Sequence, residues 1–135
     1  MPDKKEIVLA WIKKGEEDLA IAKLTFQHLP ELSDSVCYLA HQATEKFLKA
    51  LLIHLDIQSP RSHNLLLLVD LINTKYQLDE TCIKHCTFLN EYASELRYPF
   101  ARYKPDSEKA NLFIQYSGEV AAYVRSVIGS FKNQS

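Results

Sequence analysis

Glycine is almost missing from this sequence, with three in 135 residues, and the five prolines are confined to positions 2, 30, 60, 99 and 105. Backbone breakers this sparse cut the chain into long uninterrupted pieces, which is the punctuation of a helical bundle and not of a protein built from many short strands. No alternating polar and apolar run competes with that reading, and no internal repeat or low-complexity segment is present. Long hydrophobic runs are also lacking. The nearest, Leu65 to Val69, falls far short of the roughly twenty residues a membrane span needs. The opening Met1-Pro2-Asp3-Lys4-Lys5-Glu6 leads into a stretch broken by charge, without the apolar core of a secretion signal. Neither sign of charge dominates: 16 Lys and Arg face 17 Asp and Glu. There is thus no global field to drive the chain onto nucleic acid or lipid, and any such binding must use a local patch.

The three cysteines, Cys37, Cys82 and Cys86, are odd in number and match no disulfide framework. A reducing cytoplasm suits them, and there the Asn133-Gln134-Ser135 glycosylation sequon has no meaning. Cys82, His85 and Cys86 sit inside an apolar helical pattern without the usual zinc-finger spacings, so they read as small buried thiols and no metal site or cofactor is expected.

At this length a single domain spanning residues 1–135 is expected. The first helix opens with Asp3 and Glu6 at capping-box spacing and runs through Ile7, Trp11, Ala22 and Phe26 to about His28. The second starts near Ser33 or Asp34 and continues to about His54, with Val36, Ala40, Ala43, Phe47, Ala50 and Leu51 recurring along one face. A short apolar helix from about Asn64 to Asn73, another from about Asp79 to Leu96, and a last from Asp106 or Ser107 to about Phe131 complete the pattern. The fold class is all-α, an up-and-down bundle of four to five helices.

The second helix carries its polar groups in rows. His41, Glu45 and Lys49 stand at i, i+4 and i+8, with Gln42 and Lys46 in the adjacent row, away from the Val36-Phe47-Leu51 stripe. Such rows read as a solvated face, with Glu45 and Lys49 as an exposed pair. Cys37, Leu48 and Leu52 flank His41 and form an additional apolar strip, which needs a second partner, either a neighbouring helix or another subunit. Asp18, in the otherwise apolar-periodic first helix, calls for a cation, and Arg97 or Lys46 can supply it in a structural ion pair. His63, in the loop with Pro60, is placed to cap the short helix or approach Arg97.

The segment from Glu95 to Pro105 breaks the helical pattern with two prolines and interleaves Arg97, Arg102 and Lys104 with Tyr98, Phe100 and Tyr103. Guanidinium and aromatic groups together provide phosphate contacts and stacking surfaces, the chemistry that holds nucleotides or single-stranded nucleic acid. The bland alternative is a connector whose aromatics cover the bundle end and whose cations lie in water.

At these residues the chain resembles the HEPN domain proteins. The resemblance covers most of the chain. It rests on Trp11-x3-Gly15-x2-Asp18-Leu19-x2-Ala22, on His41-Gln42-Ala43-x-Glu45-Lys46-x-Leu48-Lys49-Ala50-Leu51-Leu52, on Ser62-His63-Asn64-Leu65 and on Leu96-Arg97-Tyr98-Pro99. The second-helix pattern is the most specific. The resemblance implies a four- to five-helix bundle, a homodimer with a cleft at its interface, and a minimal nucleotidyltransferase as partner, in some members as toxin and antitoxin. The ribonucleases of that family carry an arginine followed after four to six residues by a histidine. The matching arginine is Arg97, but positions 102, 103 and 104 hold Arg, Tyr and Lys. Neither Arg nor Lys replaces a histidine that must exchange a proton near neutral pH.

The expectation is therefore a cytoplasmic, non-catalytic nucleotide- or nucleic-acid-binding homodimer. Arg97 and Arg102 would contact phosphate, Tyr103 would stack on a base, Lys46 and Lys49 would border the cleft, and Tyr98 would shape the turn. Asp18, His41, Glu45 and His63 would act as structural supports. A metal-independent ribonuclease toxin using Arg97, with an acid or base from elsewhere, and a purely protein-interacting subunit are the alternatives.

Overall fold

The computed structural model describes residues 1–93 and 105–133. Five α-helices, α1 (Lys4–His28), α2 (Ser33–His54), α3 (Leu65–Ile72), α4 (Glu80–Leu89) and α5 (Ser107–Asn133), form an all-α bundle, and a 3-10 turn at Asn90–Ala93 extends α4. The helix starts follow the sequence closely because the caps are local, but the fourth helix, expected to run to about Leu96, is α-helical only to Leu89 before the 3-10 turn takes over. Asp3 accepts from the backbone N–H of Glu6 at 2.8 Å, Asn64 accepts from Leu66 and Leu67, and Asp79 accepts from Thr81. Asn64, and not His63, therefore caps α3.

α2 is the central helix and touches each of the other four, most extensively α1 and then α5. Its expected stripe of Val36, Ala40, Ala43, Phe47, Ala50 and Leu51 is fully buried. The second strip is buried as well. Cys37, Leu48 and Leu52 are 0% exposed and belong to one core cluster with Leu65, Leu68 and Ile72 of α3 and Leu89 of α4. Of the two partners open to that strip, the one found is a set of neighbouring helices of the same chain, because a helix at the centre of a bundle is covered on more than one side.

On α1 the buried face is Val8, Ile12, Gly15, Leu19 and Ala22, while Ile7, Trp11 and Phe26 are only half-buried. Gly15 marks the tightest point of the α1–α2 contact: a Cβ built there would lie 2.6 Å from Cε1 of Phe47. Thr44, also buried, donates to the Ala40 carbonyl of its own helix at 2.8 Å and shares a hydrogen bond with Ser117 of α5 at 2.9 Å. That satisfies two buried hydroxyls at once across the helix pair.

Burial sets an alkaline limit to this core. It pushes the Cys37 thiol from an ordinary 9.0 up to about 12, with Asp34 adding to the effect. It likewise pushes the Tyr123 phenol from 10.0 up to about 12, and Tyr92, buried and hydrogen-bonded to Asp34, moves in the same direction. Each group holds its proton more tightly folded than unfolded. Its contribution is thus complete below the unfolded value and is lost as pH rises from about 9 toward 12. The expected result is a melting temperature that falls steadily above about pH 9 and a shallower fall in Cys37→Ala. An unchanged melting temperature at about pH 11 would contradict it.

Candidate functional site: a buried carboxylate joining three elements

The polar row of α2 is not a solvated face. His41 and Glu45 are buried, and Lys46 and Lys49 are half-buried. The correction has a physical reason: other elements pack against these residues, Asp18 and Trp11 of α1 against Lys46 and Lys49, His63 of the loop before α3 against Glu45, and Tyr92 of the 3-10 turn beside His41. The helical spacing that places these residues in one row could not reveal which elements would pack over them.

Glu45 is the hub. Its Oε2 accepts from Lys49 Nζ at 2.9 Å, and its Oε1 lies 2.8 Å from Nδ1 of His63. The carboxylate side chain is 5% exposed, whereas His63 is 51% exposed. The pair thus runs from the interior to the surface, with a fixed imidazole at its outer end. Next to Glu45 in the chain, Lys46 of α2 forms an ion pair with Asp18 of α1. Of the two cations suggested for Asp18, Lys46 is in place, and Arg97 lies outside the described residues. Lys49 Nζ also stands 5.8 Å from the centre of the Trp11 ring, a cation–π arrangement that joins α1 to the same cluster.

Beside this cluster, Ile7, Ala10 and Trp11 with Lys14 and Lys46 line a cavity of about 370 Å³. Trp11 and Lys14 were not expected at a site. Trp11 stood out only as part of the Trp11-x3-Gly15-x2-Asp18 motif, and the signal for Lys14 is its position one turn before Asp18. His41 points elsewhere, with its ring 6.2 Å from that of Tyr92, and supports the contact between α2 and the 3-10 turn.

The His63 loop is tied to the end of α4. The Leu65 N–H donates to Asn90 Oδ1 at 2.8 Å, and the Asn90 amide donates to Asn64 at 3.2 Å. Arg97, Tyr98, Arg102 and Tyr103 lie outside the described residues. Among the described residues no three His, Cys, Asp or Glu side chains gather as a metal-binding set, and no helix is long and apolar enough to cross a membrane.

A second polar cluster joins α4 to α5. His85 Nε2 lies 2.5 Å from Glu119 Oε2, and the His85 ring stacks on Tyr116 with centroids 4.3 Å apart. No local spacing pairs residues so distant in the chain, so this contact was illegible before folding.

A five-helix bundle with a central, internally charged α2 defines a class of small helical domains, and the sequence narrows that class. The sequence model of the HEPN domain matches residues 8–127, and the chain belongs to that family. Two solved structures are similar in fold. One is described as an archaeal HEPN homologue, ST0689, with a TM-score of 0.71 and 24% identity, covering 90% of this chain and 97% of its own. The other is TT1696 from Thermus thermophilus, with a TM-score of 0.69 and 21% identity, covering 88% of this chain and 96% of its own. No curated protein matches the sequence.

Proposed function

We propose that this HEPN domain is a non-catalytic nucleotide- or nucleic-acid-binding module. In this reading it works in the cytoplasm as a homodimer with a minimal nucleotidyltransferase partner, in a toxin–antitoxin-like setting. The observation that carries the reading is the bridge from Asn90 to Asn64. It sets the end of α4, from which the chain proceeds toward the Arg97–Lys104 segment, beside the loop that carries His63.

Charge accounting within the cluster supports a division of roles. Lys46 is neutralised by Asp18 and Lys49 by Glu45, so neither offers a free charge, and both serve to border and stiffen the binding surface. In this reading phosphate attraction belongs to Arg97 and Arg102, with Tyr103 stacking on a base and Tyr98 shaping the turn. Filter binding with a mixed RNA pool tests this. Arg97→Ala is expected to weaken binding about tenfold, since a charge-assisted contact is worth roughly 1.5–3 kcal/mol. Binding by the unaltered protein should also fall with salt. Equal binding by the variant, or no binding by the unaltered protein, would turn attention to a purely protein-interacting subunit.

One observation favours a second reading. A half-exposed imidazole held by a buried carboxylate, as His63 is by Glu45, is an arrangement for moving a proton. It offers the acid or base that the Arg97 motif lacks. Cleavage of the RNA pool in chelator, lost in both Arg97→Ala and His63→Asn, would establish the metal-independent ribonuclease in place of the module.

A further inference from the structure

Glu6, Ala10 and Lys14 stand in one row of α1, four residues apart, with Ile7 and Trp11 in the next row. A small residue between two long ones leaves a notch. That notch is the cavity of about 370 Å³, bordered by Pro2 and Glu6 at its N-terminal end and by Lys14 at the other, with Lys46 reaching it from α2. Ile7, Ala10 and Trp11 form its walls, so its interior is apolar. Its size falls at the lower end of the range for small-molecule sites, about 300–1,000 Å³.

The aromatic wall is held in place. Trp11 is half-buried, and Lys49, which does not itself line the cavity, stands 5.8 Å from the centre of its ring. An indole wall favours a flat aromatic ligand over a flexible chain, because paired rings gain attraction beyond the area they bury. The charges around the notch define the polar group of that ligand. Lys46 is neutralised by Asp18, whereas Lys14 is exposed and has no ion-pair partner among the described residues. One uncompensated cation calls for one negative charge. Glu6 stands just over two turns away, roughly 12 Å along the helix, and repels a second, so a polyphosphate fits poorly.

We propose that the notch binds a small aromatic monocarboxylate, with its ring against Trp11 and its carboxylate at Lys14. The site goes beyond the RNA-binding reading and uses none of the residues to which that reading gives phosphate or base.

The test uses the folded, full-length protein with cinnamate as the probe. Trp11 is the single tryptophan, so its indole N–H gives one signal in a nitrogen–proton correlation spectrum, and that signal reports on the notch directly. A saturable shift is expected with cinnamate. Cinnamamide, the neutral analogue, should bind about three- to fivefold more weakly, the worth of one exposed charge pair. Lys14→Gln should lose the same factor for cinnamate and nothing for cinnamamide. Ala10→Leu fills the notch from an exposed position of the helix, so it should retain the helical circular dichroism and weaken both probes at least about tenfold. An indole signal unmoved at millimolar cinnamate, equal binding by Ala10→Leu, no discrimination between cinnamate and cinnamamide, or tighter binding of octanoate than of cinnamate would each overturn the proposal. The readout needs no RNA, so failure here leaves the RNA-binding result standing, and the reverse holds as well.

Discussion

Glu45→Ala is expected to destabilise the bundle by about 3 kcal/mol, the largest effect of any single polar substitution in the described residues. The carboxylate is nearly inaccessible and holds two partners from different parts of the chain, Lys49 at 2.9 Å and His63 at 2.8 Å. Its removal leaves the Lys49 ammonium, only 13% exposed, without its counter-charge. A stranded buried cation costs roughly 3–5 kcal/mol, and the lower end applies because the long lysine stem can turn its head toward water. By contrast Lys4 and Asp56 are an exposed pair, and loss of either is expected to cost under about 1 kcal/mol.

Urea unfolding followed by circular dichroism measures both. If the penalty arises from the stranded charge, Glu45→Leu combined with Lys49→Met should recover most of the stability, since apolar groups of similar volume replace a buried pair at little cost. A double variant as unstable as Glu45→Ala would instead mean that the His63 loop depends on Glu45 for its position.

Phe47→Ala is expected to cost about 3–5 kcal/mol, the range for a large aromatic removed from a packed core. Phe47 is 1% exposed and its ring lies directly beneath Gly15. The same contact predicts the reverse experiment. Gly15→Ala improves helix propensity by about 1 kcal/mol, but its methyl group would meet Cε1 of Phe47 at 2.6 Å. The ring is enclosed and cannot retreat, so overpacking of about 1–3 kcal/mol outweighs the gain and the variant is expected to be less stable. Gly15→Ala combined with Phe47→Leu should then lose less than the sum of the two single changes. Strict additivity would mean that α1 shifts as a unit instead of pressing on the ring.

The helix starts were legible in the sequence because their causes are local. Asp3, Asn64 and Asp79 cap the helices that follow them, and breakers such as Pro30 fall between helices. The apolar stripe of α2 was equally legible, since its period is that of the helix itself. The family also emerges from linear order, through the spacing of motifs across residues 8–127.

The site was only partly legible. The i, i+4 relation of Glu45 and Lys49 is a sequence fact, but whether that pair lies in water or in the core depends on α1 and the His63 loop folding over it. The contacts of Glu45 with His63, of Lys46 with Asp18 and of His85 with Glu119 join residues 18, 28 and 34 positions apart. They exist because the loops return helices to one another at particular angles. Sequence alone determined the helices, their order and the membership of the family, all of which follow from short-range geometry and the helical period. Tertiary structure alone decided that the charged row of α2 is an internal joint, because burial is a property of what packs against a residue and not of the residue itself.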